Sequence, residues 1–209
     1  HGFRPLFSKN LLNAGRQKIG GDVTGICHVD AICRSGDSNI NDPLGIILDF
    51  YQDQIRSVAA CTLGGVDACS GALINNTDNN KKPYFLTADH CGINSSNAAS
   101  VVCYFNFQNS TCRPRSSAAS AAVGDGNLSQ FSTGSILRAS HDSSDFCLVE
   151  LDDPIPASFD VHYAGWNRSN TVPTMAVCVH HPAVAEKRVS VDTDDLDQLG
   201  KYWVVNDWD

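Results

Sequence analysis

The sequence predicts an all-β protein, on the evidence of its short apolar runs, the turn residues between them and its composition. From about residue 56 onward, runs of strand length alternate with clusters of Gly, Asn, Asp and Ser, which is typical of a β-barrel or a β-sandwich. The chain has 209 residues, of which 42% are hydrophobic and 18% charged, so it can bury a core and is neither a disordered chain nor a coiled coil.

The elements follow from local patterns along the chain. Residues 1–35 show little alternation and are predicted to be extended. The segment Asn41-Asp42-Pro43 is typical of a helix start, and apolar residues at helical spacing follow it, which predicts a helix over about 43–53. The remaining predicted elements are strands, at 56–63, 69–75, 84–88, 101–107, 135–139, 146–151, 175–180, 188–191 and 202–205.

Two segments between the strands carry information about organisation. Residues 113–134 are rich in Ser, Ala and Gly and are predicted to be a long surface loop. The stiff, polar segment 152–156 marks a boundary between two β units. We therefore expect an N-terminal extended segment over 1–35, a first unit over 36–153 and the start of a second unit over 154–209.

Two runs of polar residues are predicted to have structural or surface roles. Glu186-Lys187-Arg188 is interpreted as a solvated turn. His180 and His181 are adjacent on a predicted strand, so their side chains point to opposite faces and do not easily share one metal ion.

Charge and hydrophobicity exclude two classes of partner. The formal net charge is −8, which repels phosphate backbones, and no Gly-rich phosphate-binding loop is present, so nucleic acid is not an expected partner. No apolar run approaches the roughly 20 residues that a membrane-spanning helix needs, so we expect no membrane association.

The cysteines indicate an exported protein. There are 9 of them and no CxxC pair, which favours disulfides over a zinc ribbon or a thioredoxin-type site. The odd number leaves at least one thiol without a partner. Cys103, Cys147 and Cys178 lie in apolar runs and are predicted to be buried thiols, whereas the partners of Cys27 and Cys61 are left open.

The segment from Tyr84 to Gly92 is the most informative for chemistry. It places His90 at the end of an apolar strand, with Cys91 directly after it. A Cys69–Cys91 bridge would tie neighbouring strands together beside the imidazole and hold it still, as a general base requires. Asp145 opens the apolar strand 146–151, where its carboxylate could accept the Nδ1 proton of His90. His90 and Asp145 are therefore the candidate catalytic residues.

These segments resemble a known family. Cys69-Ser-Gly-Ala-Leu-Ile, Leu86-Thr-Ala-Asp-His-Cys-Gly and Ser144-Asp-Phe-Cys-Leu-Val-Glu-Leu are similar to the His and Asp regions of chymotrypsin-like serine peptidases. The bacterial lysyl endopeptidase branch is the closer match, and the resemblance extends over about 22–191. It implies a double antiparallel β-barrel with the active site between the barrels, and a catalytic mechanism that needs no metal or cofactor.

The resemblance also assigns roles by position. His90 corresponds to the general base and Asp145 to the residue that orients it. Cys69 corresponds to the partner of Cys91, and Cys33 to that of Cys112. In the family the cysteine equivalent to Cys27 pairs with one near the C-terminus, beyond the nucleophile.

The nucleophile is the main departure from the family pattern. The family serine stands in a Gly-Ser-Ser-Gly-Ser-Pro-like segment, but no Gly-x-Ser-Gly follows Asp145 here. We expect the serine to lie beyond Asp209, in a C-terminal segment that completes the second barrel, so that this chain alone is inactive. The predicted function is a secreted serine endopeptidase that cleaves protein or peptide substrates, after lysine in the closest relatives. The alternatives are a secreted binding module that has lost its nucleophile and a Cys-rich structural protein.

Overall fold

The described part of the protein is all-β, as the sequence predicts, and it contains three short helices where the sequence predicts one. The computed structural model describes residues 28–200 and 202–209. Its helices are Asp42–Phe50 (α1), Gln52–Ser57 (α2) and Ala118–Ala121 (α3). Its strands are Val29–Asp30 (β1), Val58–Leu63 (β2), Asp67–Ile74 (β3), Tyr84–Thr87 (β4), Val101–Phe105 (β5), Phe131–Thr133 (β6), Ser135–His141 (β7), Phe146–Leu151 (β8), Ala176–His180 (β9), Arg188–Asp192 (β10), Asp197–Leu199 (β11) and Tyr202–Val204 (β12). Within these residues, every helix is too short or too polar to cross a lipid bilayer.

Seven strands form one curled antiparallel half-barrel, which we call the first barrel. Their order is β6-β5-β2-β3-β4-β8-β7, so the two outermost strands are consecutive in the chain. Only Gly134 separates them; it has φ 81° and donates its N–H to the Val101 carbonyl at 2.8 Å. A positive φ at this position suits glycine, which has no Cβ to clash. The inner face of the sheet packs around Leu73, Phe85 and Phe105, which are fully buried.

A second, smaller sheet has the order β1-β10-β9. Val29 pairs with Val189, so a strand from the N-terminal side joins one from the C-terminal side. Leu48 of α1 and Ile55 of α2 are buried in the same cluster as these valines. The described end of the predicted extended segment 1–35 is therefore a short strand followed by turns. Helix α1, which belongs to the predicted first unit 36–153, packs with strand 188–192 of the predicted second unit.

The predicted helix is longer than expected and has two parts. The Asn41 side chain caps α1 by accepting a hydrogen bond from the Leu44 N–H at 3.2 Å, as the Asn-Asp-Pro start indicates. After Tyr51 the chain continues as α2 to Ser57, so the predicted strand at 56–63 begins at Val58. Burial of Ile55 in the second cluster explains the extension, because tertiary packing overrides the strand propensity of this segment.

The other predicted strands are present, with ends within about two residues of the prediction. Three short strands were not predicted: β1 has 2 residues, and β6 and β11 have 3 each. Alternation over so few residues gives no detectable pattern. The predicted surface loop 113–134 contains α3 and β6, and its Ser120 is buried.

The interpretation of Glu186-Lys187-Arg188 as a solvated turn is wrong. The exposed fractions of these residues are 1%, 0% and 1%, respectively. Arg188 Nη1 lies 2.7 Å from Asp30 Oδ1, and Lys187 Nζ donates to the Ile55 carbonyl at 2.9 Å. Arg188 is buried because it begins β10, the central strand of its sheet, and Lys187 is buried next to α2, where its side chain binds the Ile55 carbonyl. A run of charged residues in a sequence does not show that segments distant in the chain will bury it.

Candidate active site

His90 and Asp145 lie at the ends of two neighbouring strands. His90 is in a 3₁₀ turn, Asp89–Cys91, that follows β4. Asp145 precedes β8 and has the left-handed conformation, with φ 50° and ψ 45°. Because β4 and β8 are antiparallel and Thr87 pairs with Cys147, the end of one strand meets the start of the other. The register of the sheet therefore brings together the two residues that the sequence analysis singled out.

The carboxylate of Asp145 contacts His90 at two points. Its Oδ2 lies 2.7 Å from His90 Nδ1, and its Oδ1 accepts the backbone N–H of His90 at 2.9 Å. Since an ionised carboxylate only accepts, Nδ1 carries the hydrogen, and in the neutral ring the lone pair is then on Nε2. The two contacts fix both the position of the ring and its tautomer.

The electrostatics keep this carboxylate charged. The pKa of Asp145 lies below its ordinary value, chiefly because it accepts the backbone N–H of His90 and also because it binds the His90 side chain. The His90 side chain is 72% exposed. In the part of the chain that the structure describes, no group is hydrogen-bonded to Nε2, so this nitrogen can accept a proton from a molecule that approaches from solvent.

A disulfide joins the His90 turn to the neighbouring strand. Cys69 on β3 is bonded to Cys91, as predicted. Thr87 strengthens the same link: its hydroxyl donates to the Ser70 carbonyl at 2.9 Å, and its Oγ1 lies 3.5 Å from Cys91 Sγ. The turn that carries the imidazole is thus held from the side of β3 as well as by Asp145.

The other cysteines follow the predictions closely. The Cys33–Cys112 disulfide is present. Cys103 and Cys147 are buried thiols, as predicted, and Cys178 is a half-buried one. Cys61 is a further buried thiol, and Cys27 lies outside the described residues. With four thiols free in the described chain, a protein whose cysteines are mostly in bridges is not supported.

Two groups of side chains have metal-ligand spacing among the described residues. They are Cys69 with His90 and Cys91, and Cys33 with Asp37 and Cys112. In both groups the two sulfurs are joined in a disulfide, and it is the thiolate that binds metal ions.

The two adjacent histidines have different surroundings. The His181 ring stacks on Phe107 with centroids 5.7 Å apart, and its Nδ1 donates to the Ala185 carbonyl at 2.9 Å. The His180 ring instead contacts the His28 ring edge to face, with centroids 4.7 Å apart. Their partners therefore match the structural roles predicted for them.

Two contacts around the site have no signal in the sequence. Ser70 Oγ accepts the backbone N–H of His181 at 2.8 Å, which connects β3 of the first barrel to the end of β9. The Tyr202 hydroxyl donates to the Ser143 carbonyl at 3.1 Å, so β12 contacts the turn that leads to Asp145. Both depend on how the sheets are placed relative to each other, and only the three-dimensional structure gives that.

A match to a known family covers nearly the whole chain. The family model of the lysyl endopeptidase C-terminal domain matches residues 21–208. The chain belongs to the lysyl endopeptidase C-terminal domain family. The resemblance inferred from the sequence is thereby confirmed.

Similarity to a curated protein agrees with membership of the lysyl endopeptidase C-terminal domain family. The lysyl endopeptidase of Pseudomonas aeruginosa is 25% identical to the chain over 190 residues, which cover 88% of the chain. The same alignment covers 37% of that relative, so the chain spans well under half of its length.

A cavity of about 590 Å³ lies elsewhere on this lysyl endopeptidase-like domain. Lys81, Lys82, Pro154 and Tyr163 are among the residues that line it, and neither His90 nor Asp145 is. We therefore locate the candidate active site by the geometry of His90 and Asp145 rather than by the volume of a surface depression.

Proposed function

We propose that the intact protein is a serine endopeptidase with His90 as its general base and Asp145 as the residue that orients His90. The observation that carries this proposal is the double contact of one carboxylate with His90, through Nδ1 and through the backbone N–H. It leaves Nε2 free to take the proton of an attacking serine hydroxyl and then to pass it to the leaving amine. The charge of Asp145 stabilises the imidazolium that exists between these two steps.

The proposed nucleophile is not among the 209 residues, because no Gly-x-Ser-Gly follows Asp145. We place it in another part of the intact protein, together with the oxyanion-hole N–H groups that accompany such a serine. In this proposal the chain supplies a first barrel over 36–153 and the start of a second over 154–209, and the further segment completes the second barrel. The 209 residues alone then do not hydrolyse peptides by this mechanism.

The proposed substrates are proteins or peptides, cleaved after lysine. This preference rests on the similarity to a relative that is named lysyl endopeptidase. We also propose that the protein is secreted, which its two disulfides support, since such bonds persist in oxidising compartments. The proposed mechanism uses no metal and no cofactor.

Labelling of the intact protein with a serine-directed fluorophosphonate tests the proposal. The wild type should be labelled on one serine, because the probe reacts with a hydroxyl that a general base activates. His90→Ala and Asp145→Asn should each slow labelling by at least about a hundredfold, since loss of the base or of its tautomer removes most of the activation in such triads. A matched control is His162→Ala, which changes a half-exposed histidine near Asp53.

The control should be labelled at the wild-type rate. Equal labelling of His90→Ala and wild type would contradict the role of His90. An intact protein that is not labelled, and that has no serine in a Gly-x-Ser-Gly segment, would support the alternative of a binding module that has lost its nucleophile.

A further inference from the structure

A row of cysteines crosses the first barrel next to the His90 turn. Cys61 on β2 pairs directly with Cys69 on β3 and, on its other side, with Cys103 on β5. Directly opposite residues of antiparallel strands point to the same face, with Cβ atoms about 4.5–5.5 Å apart. The three sulfurs therefore share the inner face of the barrel. Cys61 and Cys103 are thiols, whereas Cys69 is bonded to Cys91.

Two further observations link Cys61 to the surroundings of this disulfide. Cys61, Cys69 and Cys91 are among the residues that line one small cavity of about 10 Å³. The Thr87 hydroxyl interacts with the Cys61 thiol and also lies 3.5 Å from Cys91 Sγ. The free thiol and the disulfide thus share Thr87 as a polar neighbour.

We propose that Cys61 exchanges with the Cys69–Cys91 disulfide and thereby releases Cys91. The Cys61 thiolate attacks Sγ of Cys69, a Cys61–Cys69 bond forms, and the Cys69–Cys91 bond breaks. The electron pair leaves on Cys91 Sγ, which takes up the proton that Cys61 has lost. The reaction is an isomerisation, so it consumes no oxidant and no reductant.

The product fits the geometry of the sheet. Paired residues on antiparallel strands have Cα atoms about 4.5–5.5 Å apart, which lies within the range of about 4.4–6.8 Å that disulfides span. A Cys61–Cys69 bond would therefore link β2 to β3 without moving either strand far. An analogous Cys61–Cys103 bond would need an external oxidant, because both of these cysteines are thiols.

The exchange would change how His90 is held. In the described structure the disulfide anchors Cys91, the residue next to His90, to β3. After exchange this covalent anchor is lost, and a displacement of about 1 Å of a catalytic group can cost on the order of a hundredfold in rate. This consequence for activity rests on the proposed function, whereas the exchange itself does not.

The reaction should be slow at neutral pH. Burial raises the pKa of the Cys61 thiol to about 11, so only a small fraction is the attacking thiolate. Exchange from the Cys69–Cys91 bond of the described structure is therefore slow, and the exchanged form accumulates only over a prolonged incubation.

Peptide mapping of the intact protein without reduction tests the exchange. The protein is incubated at pH 8.5, quenched in acid, and its thiols are alkylated after denaturation. It is then cleaved before aspartates, which separates Cys61 from Cys69 at Asp67. We expect a Cys61–Cys69 linked peptide and alkylated Cys91 to increase together with time, at the expense of the Cys69–Cys91 peptide. Cys61→Ala and Cys61→Ser should keep the Cys69–Cys91 peptide, and Cys178→Ala, which removes a thiol on β9, should behave as the wild type.

Two results would overturn the exchange: no Cys61–Cys69 peptide in the wild type, or equal release of Cys91 in the Cys61 variants. Fluorophosphonate labelling of the same samples separates this question from the proposed function. A labelling rate that falls with exchange in the wild type and stays constant in Cys61→Ala supports both proposals. Absence of labelling in every sample contradicts the proposed function alone, because the peptide map still reports the exchange.

Discussion

Gly71 shows how closely the residues behind the His90 turn are packed. A Cβ atom built on it would lie 2.6 Å from the Leu86 carbonyl oxygen and would overlap the Phe85 ring. Both obstacles are in β4, which leads to His90, and one of them is backbone that cannot rotate away. β3 and β4 can approach this closely only because position 71 has no side chain.

We therefore expect Gly71→Ala to destabilise the protein by about 1–3 kcal/mol, the usual cost of forcing an extra group into a packed region. Urea unfolding followed by fluorescence measures the change. Gly165→Ala is the matched control, because a Cβ there meets nothing within 4 Å. A Gly71→Ala variant as stable as this control would show that β3 and β4 can separate at no cost.

At the scale of elements, the end of β9 makes the second sheet sensitive to acid. The pKa of His180 is lowered to about 4, and that of His181 to about 3, in both cases mainly because burial disfavours the charged ring. Neighbouring positive charges add to this: His28 and Arg188 act on His180, and Lys187 and His180 act on His181. Both rings are therefore neutral in the folded protein where the unfolded chain would already bind protons.

The sign of the effect follows from that difference. Below pH 6.5 the unfolded chain holds more protons than the folded one, so the free energy of unfolding falls as the pH drops toward 4 and 3. The contribution of the two neutral rings to stability is fully present only above pH 6.5. Each histidine can contribute up to about 1.4 kcal/mol per pH unit within this window.

His181→Gln should make the urea midpoint less dependent on pH between 6.5 and 4, although the lost stacking on Phe107 lowers stability at every pH. His162→Gln, on the surface, should leave the dependence unchanged. An unaltered slope in His181→Gln would mean that this ring does not resist protonation.

On the scale of the whole molecule, buried charges hold distant segments together. The Asp30 carboxylate binds Arg188 at 2.7 Å and Arg113 Nε at 2.9 Å, and so connects β1, β10 and the segment before α3. Lys187 adds a second connection: its backbone N–H donates to the Phe107 carbonyl beyond β5, and its side chain donates to the end of α2.

Lys187 gives a prediction at alkaline pH. Burial lowers its pKa to about 7, from 10.5, so between these values the unfolded chain holds a proton that the folded one lacks. Stability should therefore rise as the pH increases from 7 to 10.5. Lys187→Met should remove this rise and should stabilise the protein most near pH 7. The gain in stability is reduced because the Ile55 carbonyl loses its hydrogen-bond donor.

The measurement is the urea midpoint from pH 7 to 10, with Lys81→Met, at an exposed lysine, as control. If Lys187→Met gains no stability near pH 7 and keeps the wild-type slope, Lys187 is not a buried cation whose charge opposes folding.

Sequence patterns were sufficient for one part of this architecture and insufficient for another. Apolar runs fixed most strands of the first barrel, and because β4 and β8 are adjacent, the residues at their ends, His90 and Asp145, meet. The second sheet was harder to anticipate, since its strand β1 is two residues long and its central strand begins in a run of charges. Lys187 is buried because α2 packs next to it, and this contact between distant segments has no local signal in the sequence.

Asp145 combines two requirements in one residue. Its backbone has φ 50°, a conformation that Asp and Asn adopt far more readily than other residues with side chains. The same residue must carry a carboxylate that reaches the His90 ring and the His90 backbone N–H at the same time. The left-handed backbone and the two contacts with His90 therefore both favour Asp at this position. A Glu here would have to make the same contacts with a longer side chain, from a backbone conformation that it adopts less readily.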